Sequence, residues 1–160
     1  MNLVRKDGSY DEGCYATVFF VDKIAIKVFK RRDDATPNQV RNVFNSEVKA
    51  YHHSATRSEI CQYTNHFIRT RAVCKIIDES GCDISHKYYL ELAYEMSKLT
   101  GNPKFIGNLD SNLSQCIKSL FRDAGVMHMN DCCVFLDHAG ELANVIDFAM
   151  QEYVLEHEPL

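Results

Sequence analysis

The sequence predicts an α+β protein, with a sheet-rich lobe over residues 1–98 and a smaller helical lobe over residues 99–160. Three observations predict it. Residues Thr17 to Phe29 read TVFFVDKIAIKVF, a β-rich run broken only by Asp22-Lys23, the pattern of two strands and a tight turn. Val40, Val43, Phe44, Val48 and Tyr51 recur at helical spacing, and so do Leu109, Leu113, Cys116, Ile117, Leu120 and Phe121. Apolar residues three or four positions apart line one face of a helix.

Taken in order, the chain opens on a loop carrying Gly13, then the strand pair within Thr17–Phe29. Thr36-Pro37 marks a helix start, a capping hydroxyl followed by proline at the first helical position. Glu47 lies at the edge of that helix's apolar face. Ala72 to Asp78 and Lys87 to Met96 read as strands joined by Glu79-Ser80-Gly81-Cys82-Asp83, an expected antiparallel hairpin. Thr100 to Asn108 reads as a loop. The second helix ends near Gly125, and Val134-Phe135-Leu136 and Val145-Ile146 flank a turn at His138 to Glu141. Tyr153 to Leu160 reads as an acidic tail or a last helical turn.

Composition narrows the functional classes. A chain of 160 residues suffices for one compact core. The net charge of −4 argues against a large nucleic-acid surface, which needs a basic face. Lys30-Arg31-Arg32 is followed at once by Asp33-Asp34 and reads as a solvated turn. No run approaches the ~20 apolar residues of a membrane span, and the N-terminus lacks a signal-peptide core. Seven scattered cysteines fit a reducing cytoplasmic setting better than a disulfide framework. Cys132-Cys133 lies near His128 and His138, but adjacent cysteines chelate one ion poorly. Both are expected to be buried strand residues.

Several short motifs carry chemistry. Asp11-Glu12-Gly13-Cys14-Tyr15-Ala16-Thr17-Val18 resembles the glycine-rich loop of protein kinases, with Gly13 as its middle glycine. Ala25-Ile26-Lys27 resembles the strand whose lysine pairs with the α- and β-phosphates; a strand lysine between apolar neighbours also suits a solvent-facing position. Glu47, twenty residues on, matches the helix glutamate that holds that lysine. Gly125-Val126-Met127-His128-Met129-Asn130-Asp131 resembles the catalytic loop beginning H-R-D, and Asp147-Phe148-Ala149 resembles D-F-G. The matches run from Gly8 to Ala149 in the family's order. The chain is thus similar to the protein-kinase-like superfamily. The resemblance implies an antiparallel-sheet N-lobe with one helix, a truncated helical C-lobe and a nucleotide cleft. It also implies ATP bound through Gly13, Lys27 and Glu47, and Mg²⁺ held by Asp147.

Three departures bear on activity. The position of the proton-accepting aspartate falls on Asn130, and an amide is no base at neutral pH. Asp131 serves only if the loop, about two residues shorter than the family pattern, shifts register. The asparagine for a second metal has no counterpart between Asp131 and Asp137. Thirteen residues follow Asp147, too few for an activation segment. Losing a catalytic base removes ~10²–10⁴-fold of rate.

Three functions follow as expectations. The first is a degenerate kinase-like protein, a pseudokinase similar to bacterial effector kinases and phage-encoded kinases. It would inhibit or regulate a host protein by binding it in the host cytosol. The second is an active minimal Ser/Thr kinase that transfers the ATP γ-phosphate to a host protein, with Asp131 as base beside His128 and Asn130. In the third, nucleotide binding is lost and the fold serves as a scaffold.

Overall fold

The computed structural model describes residues 2–5 and 10–151. In chain order the elements are β1 (Asn2–Val4), β2 (Tyr10–Glu12), β3 (Ala16–Val21), β4 (Ile24–Lys30), α1 (Pro37–Ala55), α2 (Cys61–Thr64), β5 (Phe67–Thr70), β6 (Lys75–Ile77), β7 (Tyr88–Ser97), β8 (Lys104–Phe105), α3 (Ser111–Asp123), β9 (Cys133–Leu136) and β10 (Leu142–Ile146). The α+β class is as expected, with the larger sheet antiparallel throughout. The chain divides into two compact units. The first contains the described residues up to Phe44 and Phe67–Lys98; the second contains Asn45–His66 and the residues from Leu99 on.

The first unit is built on a five-stranded sheet in the order β2-β3-β4-β7-β5. The Asp22-Lys23 turn joins β3 to β4, with Asp22 in the left-handed region at φ 55°, a conformation that Asp tolerates better than most residues. Side chains alternate across β4. Ile26 and Val28 enter a core with Leu3, Phe19, Ile76 and Ala93, while Phe29 on the other face meets Phe44 of α1 edge-on, 5.5 Å between ring centroids. Thr36 caps α1 reciprocally. Its Oγ1 accepts from the Gln39 N–H at 3.2 Å, and its own N–H donates to Gln39 Oε1 at 2.8 Å, which satisfies two donors that the first turn leaves open.

The expected hairpin between Ala72–Asp78 and Lys87–Met96 does not form. Both edges of the ten-residue β7 are occupied, by β4 and by β5. No edge is left for β6, which pairs in parallel with β1. The turn-rich segment between them closes on itself instead: the Asp78 carboxylate accepts from the Ser80 and Cys82 N–H groups, each at 2.9 Å. Strand β5 was missed in the sequence, and the segment read as a glycine loop already begins as strand β2.

The second unit holds the small sheet β10-β9-β8 and helix α3. Asp110 caps α3, accepting from the Asn112 and Leu113 N–H groups. The helix ends as expected at Gly125, at φ 95°, where the Gly125 N–H reaches the Arg122 carbonyl and the Val126 N–H the Phe121 carbonyl, the paired bonds of a glycine-terminated helix. A Cβ at position 125 would lie 2.6 Å from Nε2 of His53, and that nitrogen is 2.7 Å from the Ala124 carbonyl. Phe121, Ile117, Val126, Val134, Val145 and Phe148 are buried. Cys116, placed on the apolar face from sequence, is exposed. The acidic tail from Glu152 lies outside the described residues. Among the described residues no helix is long and apolar enough to cross a membrane.

Candidate functional site

In the first unit, Gly13 begins the turn between β2 and β3. Its N–H donates to the Ala16 carbonyl at 2.8 Å, and a Cβ there would come within 3.2 Å of that oxygen. Two cations hold the loop from β4 and beyond: Lys30 Nζ donates to the Gly13 carbonyl at 2.6 Å, and Arg32 Nη1 to the Cys14 carbonyl at 2.8 Å. Asp11 lies in β2 opposite Val18.

Lys27 is not a solvent-facing lysine. It is 7% exposed, stands opposite Tyr94 in the sheet, and its ammonium lies 5.4 Å from the Phe29 ring centroid and 5.8 Å from that of Tyr94. Ring faces attract a cation at such distances. The alternation of β4 puts Lys27 on the face of Phe29, away from the core of Ile26 and Val28.

In the second unit, Glu47 is 4% exposed on α1, and Asp147 follows β10 with φ 60°. Tyr51 lies one turn beyond Glu47 and feels the charge of both carboxylates. Burial pushes the Tyr51 phenol well above its ordinary value, and the negative charges of Asp147 and Glu47 push it further, while the Asp147 backbone N–H donates to its oxygen. His66 packs edge-on against the Tyr51 ring, with Nε2 3.3 Å from the hydroxyl. Burial lowers the His66 pKa to about 4, against smaller opposing effects of the Asn144 side chain and Asp147.

The segment after Asp147 is tied down residue by residue. Ala149 exchanges backbone hydrogen bonds with His128, 2.9 and 3.1 Å. The Met150 and Gln151 N–H groups both reach Oγ of Ser46, each at 3.1 Å. Phe148 is buried, 4.6 Å from the Tyr51 ring and 5.6 Å from that of Phe121. His128 is buried, and its Nε2 is 3.2 Å from Oδ2 of Asp131, whose side chain is 70% exposed. Asn130 Oδ1 accepts from Arg122 at 3.2 Å. Cys132 is buried, which raises its thiol pKa to about 12, the behaviour of a core thiol. Among the described residues no three His, Cys, Asp or Glu side chains cluster to hold a metal ion.

Gly13 and Lys27 thus belong to the first unit; Glu47, His128, Asn130, Asp131 and Asp147 belong to the second. Tyr51 was read from sequence only as an apolar-face residue, and its position four residues after Glu47 was the available signal. Nothing in the sequence marked His66 or Asn144. Compared with protein-family models and with curated proteins, the chain matches none.

Proposed function

We propose that the protein is a reduced kinase-like module that binds a nucleotide with Mg²⁺ and acts mainly by binding and regulating another protein. What carries the reading is Asp147 held in left-handed backbone geometry, φ 60°, directly before Phe148, whose ring packs 4.6 Å from that of Tyr51 on α1. Such geometry is uncommon outside glycine and costs energy, and it clusters at functional positions. The buried ammonium of Lys27 supports the same reading, since a buried charge persists only with compensating partners.

The donor set suits Mg²⁺ in one particular way. Mg²⁺ prefers oxygen ligands and is usually held by one or two carboxylates together with substrate phosphates. Asp147 offers such a carboxylate. The ion would neutralise charge on the phosphates. Within the first unit, Lys27 would supply a cation for the phosphates.

Weak transfer follows from the loop after Gly125. In the kinase resemblance Asn130 takes the base's position, and its carbonyl oxygen is engaged by Arg122. Without strong transfer, the useful output is a surface for a protein partner, a host protein in the families the sequence resembles. A second reading, an active minimal kinase, is favoured by the exposed Asp131 carboxylate beside His128. Incubation with labelled ATP separates the two. The proposed reading expects nucleotide binding with little transfer, and robust transfer abolished by D131N supports the second.

A further inference from the structure

We propose that Tyr51 is a positioning residue, its hydroxyl locked by His66 and in turn holding the backbone of Asp147 in the left-handed conformation that aims the carboxylate at its ligand. Three observations carry this. The Asp147 N–H donates to the Tyr51 oxygen, and Asp147 is one of two non-glycine residues with positive φ among the described residues. The Tyr51 ring is fixed by His66 edge-on and by Phe148. His66 Nε2 lies 3.3 Å from the Tyr51 hydroxyl, within hydrogen-bond reach. The other ring nitrogen, Nδ1, is buried with no partner within hydrogen-bond distance.

A tyrosine serving only to fill the core would not need its hydroxyl placed between a strained backbone amide and a buried imidazole. Helix α1 also grips the following residues through Ser46. The left-handed residue is therefore anchored from α1 on its own amide and again three residues later. A side-chain oxygen that satisfies a buried amide contributes about a tenfold factor in the equilibrium it supports. The proposal rests on the reading of Asp147 as the metal-holding carboxylate.

The test uses Y51F, which keeps the ring and removes the oxygen. Amide exchange by NMR is expected to quicken about tenfold at Asp147 and to stay unchanged in β9. Affinity for ATP with Mg²⁺ is expected to fall about tenfold, with metal-free ATP affinity unchanged. H66L should reproduce the exchange effect, and H66Q, which retains a polar acceptor, should restore it. These two variants keep the test decisive should Y51F fail to fold. Unchanged exchange at Asp147 in both Y51F and H66L overturns the positioning role. Faster exchange in a protein whose wild type shows no Mg²⁺-dependent ATP binding leaves the positioning role standing and removes the nucleotide reading.

Discussion

The hydroxyl of Tyr51 lies 3.3 Å from Nε2 of His66, with the two rings 5.4 Å apart and nearly perpendicular. Burial of the imidazole beside this contact gives the second unit a pH dependence.

Burial lowers the His66 pKa to about 4, below the ~6.5 of an unfolded histidine. Between these values the unfolded chain binds more protons than the native one, so stability rises with pH. The contribution is fully present above pH ~6.5 and is lost as pH falls toward ~4, a span worth about 3 kcal/mol. Urea unfolding at pH 5 and pH 7 should show this loss in the wild type. H66Q should flatten the difference; an unchanged slope in H66Q would assign the pH dependence to other groups.

Glu95 presents a separate case in the first unit. Its side chain is 2% exposed and is bound by Arg71 and by Arg69, the latter at 3.1 Å. Burial alone would raise its pKa; the two arginines outweigh that and hold it below the usual carboxylate value. Replacing Glu95 with Ala leaves two partly exposed cations that water solvates and is expected to cost about 1 kcal/mol. R71A should cost more than R69A, because the Arg69 side chain is 64% exposed and water screens it, which holds such pairs to about 1 kcal/mol or less. Denaturant midpoints of the three variants check the order, and equal losses for the two arginines would contradict it.

Asn130 can be tested by restoring the missing carboxylate. Arg122 already donates to Oδ1 at 3.2 Å, so N130D keeps that partner and should fold normally. It is expected to raise phosphate transfer by about 10²-fold, while D131N leaves the low wild-type rate unchanged. Loss of a substantial wild-type rate in D131N would make Asp131 the base.

Much of this architecture was readable where local rules suffice. Thr36-Pro37, Asp22-Lys23 and Gly125 fixed boundaries through capping, turn and left-handed preferences that act within a few residues. The periodicity of α1 likewise placed Val40, Val43, Phe44 and Tyr51 on a buried face. Strand pairing was less legible. Whether β6 joins β7 or β1 depends on which edges the rest of the sheet leaves open, a non-local matter that a turn-rich linker disguised. Strand β5 reads FIRT, too short and too polar to announce itself. Within the candidate site, Glu47 and Asp147 carried motif signals. Tyr51 and His66 did not, because their role comes from distant residues meeting: Tyr51 and His66 are fifteen residues apart, and Asp147 is far from both in sequence.

The central claim is nucleotide binding that depends on Mg²⁺ and on Asp147. Thermal unfolding with ATP, with and without Mg²⁺, tests it most directly. A ligand at a hundred times its Kd stabilises by about 2.7 kcal/mol, which raises the Tm of a chain this size by about 5–10 °C. The account predicts such a rise with Mg²⁺, a smaller one without it, and loss of the Mg²⁺-dependent part in D147A. No shift with either form of ATP, or a full shift that persists in D147A, would contradict it.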